Sequence, residues 1–207
     1  MKDIIGVIGL GYVGLPLAVA FSKKYNIIGY DKNSSRVEEL NSFKDSTGEV
    51  SSLKLKKAIN SNRLNLITTP KIKKLHNASI FIVTVPTPID HNKNPDLKPL
   101  IKASETIGKY ISKNNLVIFE STVYPGTTEE VCVPVIERFS KLKFNEEFFV
   151  GYSPERINPG DKKRTIDKII KIISGSNEKT AIRVDNLYKE IIKAGTYLAP
   201  SIKIAEA

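Results

Sequence analysis

The sequence predicts an α/β fold: a Rossmann-type, doubly wound and mostly parallel sheet with helices on both faces. Two observations carry this prediction. Short apolar runs alternate with longer amphipathic segments along the 207 residues, as strands alternate with crossover helices in such sheets. A glycine-rich hexapeptide also follows the first apolar run, at the point where a strand would turn into a helix.

Each element is predicted from its own pattern. Apolar runs bounded by turn residues indicate strands at residues 4–8, 27–30, 64–68, 79–85, 116–119, 148–151 and 166–173. Apolar residues at helical spacing indicate helices at residues 12–24, 34–41, 53–59, 97–111, 127–139 and 177–193. Within the fifth of these helices Pro134 predicts a local irregularity, because proline lacks the backbone N–H.

The chain ends inside one more predicted element. Ser201 follows Pro200 and is suited to cap a helix, yet the amphipathic pattern runs to Ala207 without a stop signal. We therefore divide the chain into a domain over residues 1–199 and the start of a further helix over residues 200–207. We expect a fragment of a longer protein.

Composition excludes several classes of protein. No apolar run approaches the roughly 20 residues of a membrane-spanning helix, and the N-terminus has no secretory signal pattern. The single cysteine, Cys132, excludes an intrachain disulfide and fits a reducing compartment. His76 and His91 have no neighbouring ligands at metal-binding spacing. We therefore expect a cytoplasmic protein with no membrane partner and no metal.

The net charge of +10 raises the question of a nucleic-acid partner. The lysines are scattered through helical segments, which is typical of a solvated surface. The main cluster, Lys162-Lys163-Arg164, lacks the interleaved aromatic side chains of a base-stacking surface. We expect no nucleic-acid binding; tight binding of DNA that weakens steeply as salt rises would contradict this.

The hexapeptide from Gly9 to Gly14 fits the pattern G-x-G-x-x-G of a dinucleotide-binding loop. Gly9 permits the tight turn, Gly11 lets a pyrophosphate approach the backbone, and Gly14 allows the helix to pack closely on the strand. The backbone of Tyr12 and Val13 completes the loop. The free N–H groups and the positive end of the helix dipole then face the phosphates.

The second predicted strand ends in Asp31, the acidic residue that such a loop requires. A carboxylate there accepts hydrogen bonds from the adenosine ribose and repels a 2′-phosphate, which predicts NAD rather than NADP as the cofactor. Arg36 lies within reach of the adenine side and weakens this preference. The alternative is a glycine turn with an unrelated surface aspartate.

Five ordered motifs extend along the chain and span residues 9–16 (GLGYVGLP), 85–88 (VPTP), 95–97 (PDL), 121–128 (STVYPGTT) and 152–160 (YSPERINPG). Their order resembles the N-terminal part of the UDP-glucose/GDP-mannose dehydrogenase family, and the resemblance covers the whole chain. The resemblance is strongest to the branch that oxidises UDP-N-acetylhexosamines to uronic acids.

The resemblance implies a reaction. The sugar's C6 hydroxyl becomes a carboxylate in two hydride transfers that use two NAD, with a cysteine that forms a thiohemiacetal and then a thioester hydrolysed by water. It also implies a cytoplasmic enzyme of surface polysaccharide biosynthesis that is a homodimer at full length. The substrate would be a UDP-N-acetylhexosamine, but the chain does not distinguish the glucosamine, galactosamine and mannosamine derivatives.

The resemblance also assigns site residues. Thr122 would help to hold the catalytic water, Glu155 would act with that water as a base and contact the substrate, and Arg156 would contact a substrate phosphate or merely brace its loop. The residues assigned to the cofactor are Gly9, Gly11, Tyr12, Val13, Gly14, Asp31, Arg36, Val85, Pro86, Thr87, Ser121 and Thr122.

The chain departs from the pattern of other branches at two positions. Pro159 stands where those branches have a second glutamate, and Glu120 stands where some have a lysine. We interpret both as markers of the N-acetylhexosamine branch.

Plain structural roles remain open for several of the assigned residues. Glu155 could be a surface residue paired with Arg156 or Arg164, and Thr122 could cap the next helix. Cys132 lies in an apolar helical stretch and matches no cysteine of the family, so we interpret it as a core residue.

The remaining catalytic groups would lie outside the chain. In the family a lysine, an asparagine and the nucleophilic cysteine come from the central domain, and the lysine would fall just beyond Ala207; the C-terminal UDP-sugar-binding domain is also absent. We therefore expect this chain to bind NAD without catalysing the oxidation. The alternative is a natural short NAD-binding module, and the reading frame after Ala207 distinguishes the two.

Overall fold

A computed structural model describes residues 3–67, 69–155 and 166–207, and it contains the expected alternation of strands and helices. The strands are β1 (Ile4–Ile8), β2 (Asn26–Tyr30), β3 (Leu64–Ile67), β4 (Ile80–Val83), β5 (Asn115–Phe119), β6 (Phe148–Tyr152), β7 (Lys171–Gly175) and β8 (Thr196–Leu198). The α-helices are α1 (Gly14–Phe21), α2 (Ser34–Asn41), α3 (Ser52–Asn60), α4 (Lys98–Tyr110), α5 (Val133–Ser140), α6 (Glu178–Lys189) and α7 (Ile202–Glu206).

The eight strands form a sheet in the order β3-β2-β1-β4-β5-β6-β7-β8. All neighbouring strands are parallel except β6 and β7, where Gly151 pairs with Gly175 in antiparallel register. The chain reverses its direction of progress between β1 and β4, and ligands bind at the carboxyl ends of strands beside such a switch point. The mostly parallel, doubly wound sheet of the sequence prediction is confirmed.

Helices cover both faces of the sheet and bury a hydrophobic core on each. One core joins the strands to α1, α2, α3 and α6, and the other joins them to α4, α5 and α7. The central strands β4 and β5 are buried on both faces, as their unbroken apolar runs predict. No helix among the described residues is both long and apolar enough to cross a bilayer.

Side-chain caps fix where several helices begin. The N-cap side chain of Asn177 accepts a hydrogen bond from the backbone N–H of Thr180, and that of Ser201 accepts one from Ile204. The cap predicted at Ser201, at the start of α7, is therefore confirmed. α7 packs against β6 and β7, within the same core as α4 and α5.

The structure corrects the sequence prediction at the far edge of the sheet. The predicted strand over residues 166–173 begins with a 3-10 turn, Ile166–Lys168, and β7 starts only at Lys171. Alternation of apolar and charged residues continues through both, but only the part that pairs with β6 and β8 is held as a strand. The edge strand β8, which has only three residues, was not predicted.

Three helical segments also differ from the prediction. The helix predicted over residues 127–139 is a π-helix, Thr127–Cys132, followed by α5, and Pro134 lies at the start of α5, where proline is tolerated. A 3-10 helix, Thr69–Asn77, precedes β4 and was not predicted. α1 begins at Gly14 instead of residue 12, because the glycine loop continues up to that point.

Candidate functional site

The glycine loop joins the carboxyl end of β1 to α1, and its three glycines meet three different spatial requirements. Gly9 has a φ of 95°, in the left-handed region that favours glycine, and its N–H donates to the Tyr30 carbonyl at 2.9 Å. A Cβ on Gly14 would lie 1.9 Å from the Gly9 carbonyl oxygen, so no side chain fits there. A Cβ on Gly11 would meet nothing within 4 Å.

These glycines leave an open cradle at Gly11 beside a helix N-terminus. No side chain caps the start of α1, so the positive end of its dipole is free to face a phosphate. Val13 is buried at the N-cap position, and Tyr12 is 42% exposed at the rim. The loop therefore has the open space at Gly11 and the uncapped helix N-terminus that a dinucleotide pyrophosphate requires.

Asp31 and Arg36 hold the loop from the adjacent strand β2 and helix α2. The Asp31 carboxylate accepts hydrogen bonds from the N–H groups of Leu10 and Asn33, both at 2.9 Å. Arg36 Nε donates to the Leu10 carbonyl oxygen at 3.0 Å. The backbone N–H and the carbonyl of Leu10 are thus both held by hydrogen bonds. The Asp31 carboxylate has about four acceptor positions, so it could still accept hydrogen bonds from ribose hydroxyls.

The guanidinium of Arg36 forms ion pairs with two carboxylates of the protein. Nη2 lies 2.7 Å from an Asp45 carboxylate oxygen and Nη1 lies 3.1 Å from Glu39, and only 10% of the side chain is exposed. An arginine that selects NADP must offer its guanidinium to the 2′-phosphate. Because Arg36 turns its guanidinium to two carboxylates, it does not oppose the preference for NAD that Asp31 indicates.

Thr84 connects the glycine loop to β4, across the switch point of the sheet. Its hydroxyl donates to the carbonyl oxygen of Gly9 at 2.8 Å, and a Cβ on Gly14 would lie 2.4 Å from the same hydroxyl oxygen. Sequence reasoning missed Thr84, although it is the polar residue that directly follows the apolar strand β4.

The segments after β4 and β5 are joined to each other by two hydrogen bonds. Thr87 donates through its hydroxyl to the Thr122 carbonyl oxygen at 2.6 Å, and Ser121 donates to the Val85 carbonyl oxygen at 2.6 Å. The side chain of Thr122 is exposed, and the next helix is capped by Gly126, so Thr122 does not cap it. Pro86 lies between the two bonded residues Val85 and Thr87, at the edge of the sheet that also carries the glycine loop.

Glu155 lies in the segment that follows β6, the strand next to β5, at the same carboxyl edge of the sheet. Its side chain is 8% exposed, and its Oε2 lies 4.0 Å from Lys171 Nζ. Lys171 is thus a cation beside Glu155, whereas the alternative pairing with Arg156 or Arg164 falls on residues outside those that the structure describes. Arg156, Pro159, Lys162-Lys163-Arg164 and the rest of residues 156–165 lie outside the described residues.

A buried ionic cluster behind Glu155 was not predicted. Lys171 Nζ lies 2.6 Å from Glu120 Oε2, and the hydroxyl of Tyr188 donates to the other oxygen of Glu120. Burial raises the pKa of Glu120, and Lys171 opposes this rise. Two features of the sequence could have indicated this cluster. Glu120 directly follows the apolar strand β5, and Lys171 lies in a predicted strand of alternating pattern.

Glu206 is a second buried carboxylate that sequence reasoning missed. Its two oxygens accept hydrogen bonds from the N–H groups of Gly126 at 2.6 Å and Thr128 at 2.9 Å. Gly126 has a φ of 96° and precedes the π-helix that follows the Ser121-Thr122 segment. Glu206 therefore fastens α7 to that segment.

Cys132 lies in the core, in agreement with the structural interpretation of its apolar surroundings. It is fully buried, and burial raises the pKa of its thiol to about 12. A thiol in that state is a poor nucleophile near neutral pH. Among the described residues, no group of three or more His, Cys, Asp and Glu side chains could hold a metal ion.

Comparison with known proteins identifies the family. Residues 3–192 match the model of the NAD binding domain of the UDP-glucose/GDP-mannose dehydrogenase family. The chain belongs to this family. The whole chain is 57% identical to the UDP-N-acetyl-D-glucosamine 6-dehydrogenase of Pseudomonas aeruginosa and 50% identical to Protein CapL of Staphylococcus aureus. It is thus an NAD-binding domain of this family, with the fold and cofactor that the motifs imply.

Solved structures of this dehydrogenase family share the fold. The UDP-D-ManNAc dehydrogenase of Pyrococcus horikoshii superposes with a TM-score of 0.89 at 31% identity, over 98% of this chain and 48% of that one. The chain spans about half the length of its curated relatives, with 48% of the Pseudomonas protein and 47% of the Staphylococcus protein covered.

Proposed function

We propose that this chain is the cofactor half of a UDP-N-acetylhexosamine 6-dehydrogenase, which oxidises the C6 hydroxyl to a carboxylate in two NAD-dependent steps. The observation that carries the proposal is the 57% identity over the whole chain to a UDP-N-acetyl-D-glucosamine 6-dehydrogenase. A second protein of that name, from Salmonella typhi, is 51% identical. UDP-N-acetyl-D-glucosamine is therefore the first substrate to test.

The geometry supports a specific division of work for NAD binding. Gly9, Gly11, Gly14 and the backbone of Tyr12 and Val13 would receive the pyrophosphate, and Asp31 the adenosine ribose. Bound NAD supplies the hydride acceptor. Val85, Pro86, Thr87 and Ser121 would line the nicotinamide side, since their segments are joined at the carboxyl edge of β4 and β5. Arg36 would act mainly by holding the loop.

The residues proposed to act on the substrate follow β5 and β6 at the same edge of the sheet. Thr122 presents an exposed side chain after β5 and would hold the water, and Glu155 after β6 would take the proton of that water during hydrolysis. Arg156 would contact the substrate. The nucleophilic cysteine would come from the part of the complete protein that lies outside this chain, so the chain alone would bind NAD without turnover.

We further propose that the complete protein is a cytoplasmic homodimer that serves surface polysaccharide biosynthesis. The support is the resemblance of the motifs and the names of the relatives. The division between residues 1–199 and the helix from residue 200 belongs to the same proposal, with α7 as the first turn of the central helix.

Two measurements test the function. Calorimetry on this chain should detect NAD binding and much weaker NADP binding. The complete reading frame should form NADH with UDP-N-acetyl-D-glucosamine, at two NADH per sugar, and the galactosamine and mannosamine derivatives serve as comparison. A reading frame that stops at Ala207, or one without a downstream cysteine, would contradict the dehydrogenase proposal and leave an NAD-binding module.

A further inference from the structure

Lys171 occupies an unusual position for a lysine. It is the first residue of β7, its side chain is only 4% exposed, and Glu120 beside it is fully buried. Burial of an ammonium or a carboxylate is costly unless the charge is paired and hydrogen-bonded. The pair of Lys171 and Glu120 meets this condition, and Tyr188 satisfies the second oxygen of the carboxylate.

Lys171 also holds the segment that carries Glu155. An ammonium group has three protons to donate. One goes to Glu120, a second to the Pro154 carbonyl oxygen at 3.1 Å, and Glu155 Oε2 lies 4.0 Å from the same nitrogen. The lysine thus contacts the backbone just before Glu155 and faces its carboxylate.

The neighbouring hydrogen bonds make this arrangement rigid. The hydroxyl of Ser153 donates to the Ile172 carbonyl oxygen at 2.6 Å. Residues of β7 are therefore hydrogen-bonded to two successive residues after β6, Ser153 and Pro154. Glu120 comes from β5, Tyr188 from α6, and Glu155 from the segment after β6. Among the described residues the cluster has two carboxylates and one ammonium.

We propose that Lys171 is a positioning residue that fixes Glu155 at the cofactor edge, with Glu120 as its buried counter-charge. This inference rests on the role of Glu155 in the proposed function. The ion pair of Lys171 and Glu120 lies against Glu155, and Glu155, at 8% exposed, is the more exposed of the two carboxylates. Lys171 itself does not touch the substrate.

The test separates the contribution of the Lys171–Glu120 pair to stability from its contribution to the position of Glu155. In the complete protein, Lys171→Met leaves Glu120 buried without its cation and should lower the unfolding midpoint strongly. The double variant Glu120→Gln with Lys171→Met removes both charges and should recover most of that stability. Lys168→Met, an exposed lysine three positions earlier, is the matched control and should change neither stability nor rate.

The readout for positioning is formation of the uronic acid. The double variant should lose about tenfold or more in kcat with little change in KM for the sugar nucleotide. A double variant with the wild-type kcat would overturn the inference.

Glu155→Gln distinguishes failure of the inference from failure of the proposed function. It should lose about a hundredfold or more in rate if Glu155 is the base. If Glu155→Gln is fully active, the role proposed for Glu155 is wrong and the inference falls with it. If Glu155→Gln is inactive but the double variant is not, only the role of Lys171 is wrong.

Discussion

Gly11 and Gly14 belong to one motif but have opposite physical reasons to be glycine. Gly14 is required by the protein itself, because its Cα faces the Gly9 carbonyl and the Thr84 hydroxyl at distances that exclude a methyl group. Gly11 faces open space, so the folded chain alone gives no reason for it. The NAD proposed to bind here supplies a reason, so this one position can test whether the segment is a cofactor loop or a plain tight turn.

Alanine substitutions at these two positions should therefore have different effects. Gly11→Ala should unfold with the wild-type midpoint but lose most of its NAD affinity, since the added methyl group meets only the cofactor. Gly14→Ala should be destabilised by about 3 kcal/mol, at the upper end of the usual cost of overpacking. Urea unfolding and calorimetry with NAD measure the two effects. Equal destabilisation by both changes would contradict the assignment of Gly11 to the ligand.

Asp31 holds the glycine loop and, in the proposed function, also receives the adenosine ribose; a small change can separate the two roles. Asp31→Asn keeps one oxygen that can accept from the Leu10 N–H, so the loop should stay in place. The loss of the charge weakens the hydrogen bonds to the ribose, and we expect about tenfold weaker NAD binding with a smaller preference over NADP. Glu38→Gln removes the same charge from an exposed position on α2 and serves as the control. Unchanged NAD affinity in Asp31→Asn would contradict the ribose contact.

At the scale of elements, a buried carboxylate links α7 to the segment after β5. Glu206 on α7 occupies the start of the π-helix, where its oxygens satisfy two buried backbone N–H groups. A helix start buried without partners is unfavourable. The position of Ser121-Thr122 at the cofactor edge is therefore coupled to the position of the helix that follows the sheet.

Removal of this carboxylate should be measurable in stability. Glu206→Ala leaves the N–H groups of Gly126 and Thr128 buried without acceptors, at a cost of about 2 kcal/mol or more. Glu130→Ala removes an exposed carboxylate that pairs with Lys203 on the same two elements and should cost less than about 1 kcal/mol. Urea unfolding gives both values, and faster amide exchange at Gly126 and Thr128 should accompany only the first. Equal costs would show that Glu206 is not a structural anchor.

Sequence patterns predicted the bounds of a strand or helix correctly where neighbouring residues alone determine them. The boundaries of β1 and α2 agree with the sequence prediction residue for residue, because an apolar run and an Asn33 cap mark them. The boundary of β7 could not be read locally, since residues 166–173 alternate throughout and only pairing with β6 and β8 selects the strand.

The same limit applies to the site. The glycine loop and Asp31 lie within one strand–helix–strand unit and were predictable from spacing. The contact of Glu120 with Lys171 joins residues 51 positions apart, and that of Glu206 with Gly126 joins residues 80 positions apart. No spacing rule reaches that far, so these two anchors needed the three-dimensional structure.

At the scale of the whole molecule, the two cores bury several weak acids in their neutral form. Burial is the main cause that raises the pKa of Cys132, Tyr152 and Tyr188, which lie in or against the two cores. The folded chain keeps these protons at alkaline pH after the unfolded chain has released them. Stability contributed in this way is fully present below the ordinary pKa of each group and declines as the pH rises above it.

The thiol is the first of these groups to titrate and gives the clearest test. Its pKa rises from 9.0 to about 12 on folding, so the wild-type chain should lose about 1.4 kcal/mol per pH unit from this group between those values. Cys132→Ala lacks the proton but keeps every tyrosine and lysine, and its cavity cost does not depend on pH. The stability gap between the two proteins should therefore narrow by about 1.4 kcal/mol between pH 8 and pH 10 in urea unfolding under reducing conditions. A constant gap would mean that the thiol ionises as readily in the folded core as in water, which its complete burial contradicts.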